Sequence, residues 1–186
     1  MATERFIENN VIRNRGMLGY GDSLFIRRCR AGRGFGIVDL MLLPAKGPHR
    51  IVLVEAKLAD SAEASAKVVG QLLLYYAGVL HIGMRGLRML RNFAESNSAR
   101  ARSCSPKLLK SLSGGISPPE DAWREFQKGK KIQPAQIGLF IALDGEAPQG
   151  LKSLLQNLAI NHHLEVGVIT VLGRNRLTIW KPYYPH

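Results

Sequence analysis

The chain has 186 residues, of which 46% are hydrophobic, and this length and composition predict one globular domain rather than a disordered chain. Its formal charge of +12 favours a polyanionic partner, because neutralising phosphates releases condensed counterions. No apolar run reaches the roughly 18–20 residues of a membrane span, and two distant cysteines exclude a zinc ribbon or a four-cysteine iron–sulfur cluster. We expect a cytoplasmic protein with free thiols and no membrane partner, since the first residues also lack the apolar core of a signal peptide.

A first helix is predicted from an N-cap at Thr3 through about Arg15. Its apolar positions recur at helical spacing, at Phe6, Ile7, Val11 and Ile12. Glu4 and Glu8 lie one turn apart and therefore share a face of this helix.

A strand is predicted next, at 23–30, and it ends in a basic cluster. The glycine-rich run at 32–36 precedes another strand, whereas a dinucleotide-binding loop follows a strand and opens a helix. We therefore interpret this run as a flexible hairpin turn. Arginines surround it and are either phosphate contacts or solubilising surface charges: Arg27, Arg28, Arg30 and Arg33.

Two aliphatic runs at 36–43 and 50–58 flank a turn rich in Pro and Gly, and together they predict a β-hairpin. Side chains alternate along a strand, so Glu55 and Lys57 project from one face, about 6.5 Å apart. A hairpin centred near Gly47 places Asp39 opposite Glu55. Two facing carboxylates in apolar strands repel each other and are costly to bury.

A divalent cation between these carboxylates would offset the repulsion, and Mg²⁺ accepts such hard oxygen ligands. Lys57, next along the same face, would then orient an attacking water or help to deprotonate it. The alternative interpretation is an exposed Glu/Lys pair on a solvated strand face, which contributes little. Asp39 inside an apolar strand favours the metal site.

A second helix is predicted over about 61–80, behind a capping residue at Asp60 or Ser61. Gln71 and Tyr75 stack on one face of this helix, with Lys67 one turn earlier. That face would line the metal site. The alternative for Gln71 is an ordinary helix residue bonded to the backbone.

These motifs resemble those of a known family. Gly36-Ile37-Val38-Asp39, then Glu55-Ala56-Lys57, then the Q-x-x-x-Y spacing of Gln71 and Tyr75 resemble the PD-(D/E)XK nuclease superfamily and its RecB-like branch. Val38 stands where the family name has Pro, a position without a chemical role. The resemblance covers about the first eighty residues. It implies an α/β fold with a restriction-endonuclease-like αβββαβ core, in which helices flank a mixed central sheet.

The resemblance also implies roles for individual residues. The implied ligands of Mg²⁺ or Mn²⁺ are Asp39, Glu55, the Ala56 carbonyl and either Glu8 or Glu4. Lys57 would serve the attacking water. Gln71 and Tyr75 would place the DNA strand, and Lys67 would contact nucleic acid.

The periodic pattern weakens at about 84–135, which we interpret as a basic variable insertion within a single 1–186 domain. Its residues 85–93 are predicted to form a short strand or helix. The segment rich in Ser, Gly, Pro and basic residues from Glu95 is predicted to be a mobile loop that folds over nucleic acid.

Periodicity returns in the last third of the chain. A buried strand at 136–143 and a helix at 149–161 are predicted, followed by a hairpin of strands at 164–172 and 176–182. Trp180 and Tyr183-Tyr184 are predicted to cover a sheet edge or to form a contact in a homodimer.

The function predicted from these patterns is a metal-dependent deoxyribonuclease, with RNA not excluded as a substrate. One alternative is a nucleic-acid-binding module on a nuclease-like scaffold that does not cut, which predicts salt-sensitive binding unaffected by a chelator. Another is a partner-binding protein whose charge serves only solubility. The facing carboxylates favour the enzyme over both alternatives.

Overall fold

The computed structural model describes residues 3–32, 34–61, 66–80, 82–103 and 131–183. The helices are α1 (Glu4–Arg13), α2 (Ala66–Val79), α3 (Met84–Ser103) and α4 (Gln149–His162). The strands are β1 (Leu24–Arg30), β2 (Ile37–Leu43), β3 (Ile51–Lys57), β4 (Ile137–Leu143), β5 (Glu165–Gly173) and β6 (Arg176–Trp180). A 3₁₀ turn at Pro134–Gln136 leads into β4.

The strands form one six-stranded mixed sheet in the order β1-β2-β3-β4-β5-β6. The pairs β1–β2, β2–β3 and β5–β6 are antiparallel, whereas β3–β4 and β4–β5 are parallel. Every residue of β3 and β4 is buried, as expected for central strands covered on both faces. The strands predicted from the sequence are all present, and the α/β fold with a mixed sheet flanked by helices is confirmed.

Helices cover both faces of the sheet. On one face α2, α3 and α4 contribute buried side chains such as Leu72, Leu90 and Leu155 to the larger core cluster. On the other face α1 packs Ile7 and Val11 against the sheet. Within the described residues no helix has both the length and the apolar character needed to cross a membrane.

Helix α1 begins where the sequence predicted, because the Thr3 hydroxyl accepts a hydrogen bond from the Phe6 amide at 3.1 Å. It ends at Arg13 rather than at Arg15. The start of α2 and its predicted capping residues adjoin residues 62–65, which lie outside the described part of the chain.

Helix α3 corrects the prediction of a mobile loop from Glu95. The helix continues to Ser103, so the first nine residues of that segment are helical. Its amino-terminal half is anchored on the sheet by the buried side chains of Leu87, Leu90 and Ala94. After Ala94 the sequence has few apolar residues to mark a helical period, which is why the pattern alone did not predict it. Residues 104–130 lie outside the described ranges.

The chain after β6 lies against α4. Gln156 donates to the Tyr183 carbonyl at 2.6 Å and accepts from the Tyr183 amide at 3.1 Å. Trp180 packs partly buried against the larger core cluster. Tyr183 is thus joined to α4 through its backbone rather than laid over a sheet edge, Trp180 belongs to the edge strand β6, and Tyr184 lies outside the described residues. The homodimer stays a prediction.

Candidate functional site

The register of β2 and β3 places Asp39 opposite Glu55. The paired residues are Leu40 with Val54, Met41 with Leu53 and Leu42 with Val52. One further step along this ladder reaches Asp39 and Glu55, at the point where the two strands separate. The facing arrangement predicted from a turn centred near Gly47 is therefore confirmed.

The Asp39 side chain takes the place of a backbone acceptor at the end of the β2–β3 ladder. One step further, Ala56 would face Val38, but the β2–β3 pairing has already ended at Leu40 and Val54. The Ala56 amide donates instead to Asp39 Oδ2 at 3.0 Å. Because the amide and carbonyl of a strand residue point to the same side, the Ala56 carbonyl also faces the space beside Asp39.

The environment of Asp39 shifts its acidity in two directions. Burial raises the pKa of this carboxyl above its ordinary value, and the Glu4 charge adds to that effect. The hydrogen bond from Ala56 and the charge of Lys57 act in the opposite direction. Asp39 is thus a buried acid whose ionised form depends on nearby donors and cations.

Glu55 is the most confined acid of the site, with only 2% of its surface exposed. Its Oε1 lies 3.3 Å from Lys57 Nζ. Its Oε2 is buried and has no hydrogen-bond partner within the described part of the chain. Burial, followed by the negative charge of Asp39, raises the pKa of Glu55 to about 7, although Lys57 partly opposes this shift.

Lys57 connects the strand to α1. Its Nζ lies 3.1 Å from Glu4 Oε1 as well as 3.3 Å from Glu55 Oε1. Burial alone would lower the pKa of Lys57, but the bond to Glu4 and the nearby carboxylates outweigh burial and raise it. This ammonium group therefore keeps its charge, which favours an orienting and charge-stabilising role over deprotonation of water.

The two glutamates of α1 have different partners. Glu8 is buried and accepts a hydrogen bond from Arg27 at 2.7 Å, while Arg27 also donates to Asn9 at 2.6 Å. Burial raises the pKa of Glu8, Arg27 opposes that shift, and the charge of Asp39 adds to it. Glu8 is therefore within electrostatic reach of Asp39. Glu4 instead binds Lys57.

Helix α2 brings Tyr75 to the same acids. Burial raises the pKa of the Tyr75 hydroxyl well above its usual range, and the charges of Glu55 and Asp39 raise it further. Gln71, one turn earlier, has a buried Oε1 without a hydrogen-bond partner among the described residues. The backbone hydrogen bond considered from the sequence thus does not account for the oxygen of this amide.

Gly36 permits this approach, a role that the sequence motif did not suggest. Its φ is +83°, and a Cβ at this position would lie 2.8 Å from Tyr75 Cε1. Gly32 and Gly34 also have positive φ, and the Ala31 amide donates to the Gly36 carbonyl at 3.1 Å. The run at 32–36 is thus the β1–β2 turn, as predicted.

The predicted phosphate contacts lie in different environments. Arg27 is held between Glu8 and Asn9, as described above, so its guanidinium is already engaged. Arg28, Arg30 and Lys67 are exposed. Arg33 lies outside the described residues.

The donor set at the end of β3 suits a hard divalent cation. It consists of two carboxylates and a main-chain carbonyl, from Asp39, Glu55 and Ala56, and it includes the unpartnered Glu55 Oε2. Oxygen ligands of this kind, completed by waters, are what Mg²⁺ accepts. Among the described residues there is no group of three or more His, Cys, Asp and Glu side chains placed to hold a metal ion.

Comparisons of the chain with protein-family models, curated proteins and solved structures gave no match. The geometry and chemistry of this site are therefore the basis for inferring a function. Its defining features are two facing acids, a charged lysine that binds acids of β3 and α1, and two buried acceptors that have no donor within the described ranges.

Proposed function

We propose that the protein is a metal-dependent deoxyribonuclease of the PD-(D/E)XK type. The observation that carries this proposal is the convergence of Asp39, Glu55 and Lys57 where β2 and β3 separate. One carboxylate oxygen there has no partner among the residues that the structure describes. Buried acceptors are normally satisfied, so an unpartnered oxygen beside a second carboxylate supports the proposal of a cation at this position. The element order α1-β1-β2-β3-α2, with β4 pairing parallel to β3, is compatible with the αβββαβ core that the sequence resemblance implies.

The residues that would hold Mg²⁺ or Mn²⁺ are Asp39, Glu55 and Ala56, the last through its carbonyl. Bound there, the ion supplies Lewis-acid activation of the scissile phosphate. The attacking water forms a bond to phosphorus while the bond to the 3′-oxygen breaks, and that oxygen takes up a proton. The expected products carry a 5′-phosphate and a 3′-hydroxyl.

Lys57 acts in this scheme as a fixed cation. Glu4 and Glu55 hold its ammonium group from two sides, so it can orient the water and stabilise negative charge that develops on the phosphate. Tyr75 is within electrostatic reach of the acids. With Gln71, one turn earlier on the same helix, it would place the DNA strand. The net charge of +12 supports a polyanionic substrate.

The test compares Asp39→Asn and Lys57→Ala with the wild-type protein, using labelled DNA in the presence of Mg²⁺ or Mn²⁺. Each change is expected to reduce cleavage by at least about 100-fold, because metal and electrostatic stabilisation contribute several kcal/mol at 1.36 kcal/mol per tenfold. Binding of DNA should remain.

Asp144→Asn is the matched control, because Asp144 also accepts a backbone hydrogen bond, from Ala59 at 2.7 Å, without facing Glu55. This control should cut at the wild-type rate. Unchanged cleavage by Asp39→Asn or Lys57→Ala would remove the mechanism.

The high positive charge also favours a second candidate function, a nucleic-acid-binding module that does not cut. This alternative predicts salt-sensitive retention of DNA or RNA that EDTA leaves unchanged, with no products in any metal. The unpartnered Glu55 Oε2 favours the nuclease, because a pure binding surface has no need to bury two facing acids.

A further inference from the structure

Arg28 has an unusual backbone conformation at the edge of the candidate site. Its φ is +46°, and among the described residues only His163 shares a positive φ without being glycine. The neighbouring pairs in the β1–β2 ladder are Arg27 with Leu40 and Cys29 with Val38, so Arg28 lies opposite Asp39. Strained backbone of this kind tends to occur at functional sites, where the surrounding structure maintains it.

Arg28 is within electrostatic reach of helices on both faces of the sheet. Its charge lowers the pKa of Glu8, on α1, and also that of Tyr75, on α2, although burial raises both overall. These helices pack on opposite faces of the sheet. The strand register places Arg28 beside Asp39, at the end of the sheet where β2 and β3 separate.

The other cations of the site are already paired. Lys57 binds Glu4 and Glu55, and Arg27 binds Glu8. Arg28, in contrast, is exposed, and its guanidinium makes no ion pair or hydrogen bond to another residue in the described ranges. A phosphate that approaches a group of carboxylates needs a cation to offset the repulsion. Arg28 can therefore direct all the N–H donors of its guanidinium group to a phosphate.

We propose that Arg28 binds a backbone phosphate of the nucleic-acid strand and so holds that strand against the Asp39–Glu55 centre. The inference rests on the proposed function and assigns its substrate-binding residue. The planar guanidinium donates two parallel hydrogen bonds to a phosphate, which lysine cannot reproduce. A phosphate contact carries no base information, so binding through Arg28 is independent of sequence.

The test measures binding of fluorescein-labelled single- and double-stranded DNA in EDTA, so that no strand is cut. Arg28→Gly removes the guanidinium and suits the positive φ, so the variant should fold with unchanged or higher thermal stability. We expect its affinity for DNA to fall at least about tenfold. The number of counterions released on binding, measured from the salt dependence of the affinity, should decrease by about one. Arg28→Lys should recover only part of the affinity.

Arg30→Ala is the matched control, because Arg30 is an exposed arginine on the same strand. Unlike that of Arg28, its charge is not among those that act on the pKa of Glu8 or Tyr75. A loss of affinity in Arg30→Ala equal to that in Arg28→Gly would overturn the inference in favour of a general surface charge. Undiminished binding by Arg28→Gly would overturn it and leave the proposed nuclease standing. A wild-type protein that neither binds nor cuts DNA would refute both.

Discussion

Replacement of Glu55 by Gln is expected to stabilise the metal-free protein above neutral pH. Burial and the facing Asp39 raise the pKa of Glu55 from an ordinary 4.5 to about 7. The folded protein therefore holds this proton more tightly than the unfolded chain, and its free energy of unfolding falls as pH rises from 4.5 to 7. At 1.36 kcal/mol per pH unit, the loss above pH 7 amounts to about 3 kcal/mol. Gln carries no charge and avoids this loss.

The assay is urea denaturation in EDTA at pH 5 and pH 8. Glu55→Gln should be more stable than the wild type by up to about 3 kcal/mol at pH 8, with a much smaller difference at pH 5. Glu146→Gln is the control, because Glu146 is exposed and pairs only with Lys152 on the surface. It should change stability by less than about 0.5 kcal/mol at either pH.

Addition of Mg²⁺ distinguishes a metal ligand at Glu55 from a buried acid that binds no metal. A concentration of 100 times Kd should stabilise the wild-type protein by about 2.7 kcal/mol and leave Glu55→Gln nearly unchanged. The reasoning is refuted if the wild type and Glu55→Gln show the same pH dependence, because the two facing carboxylates would then impose no cost on the fold.

Two predictions concern the framework that holds the site, and both are measured by urea denaturation. Gly78→Ala should destabilise the protein by about 1–3 kcal/mol, because the new Cβ would collide with the Ala31 carbonyl. Gly70→Ala in the same helix meets no atom within 4 Å and should stabilise by up to about 1 kcal/mol, so equal effects would contradict the packing argument. Arg91→Ala removes hydrogen bonds of 3.2 and 2.9 Å to the Leu43 and Pro44 carbonyls and should cost about 2 kcal/mol; a neutral result would mean that water replaces both bonds.

The β2–β3 register could be predicted from the sequence because strand and turn constraints are local. Strand alternation and a turn centred at Gly47 are sufficient to bring Asp39 opposite Glu55. Helical spacing likewise places Gln71 and Tyr75 on one face. These inferences need only the period of each element and the length of one turn.

Contacts between distant elements could not be predicted in the same way. The pairing of Arg27 with Glu8 depends on how α1 crosses the sheet, which no local pattern specifies. The bond from the Ala56 amide to Asp39 forms beyond the last β2–β3 pair, Leu40 with Val54, where strand alternation no longer specifies a partner. The length of α3 was also missed, because its second half carries little apolar periodicity.

The order of the strands has a consequence for how the protein folds. Strands β1, β2 and β3 are consecutive neighbours joined by short connections, whereas β4, which pairs parallel to β3, begins only at Ile137. Closing such a long loop delays non-local pairing relative to hairpin formation. We expect the β1–β3 meander to assemble first, so that Asp39 and Glu55 meet before the second half of the sheet docks onto β3.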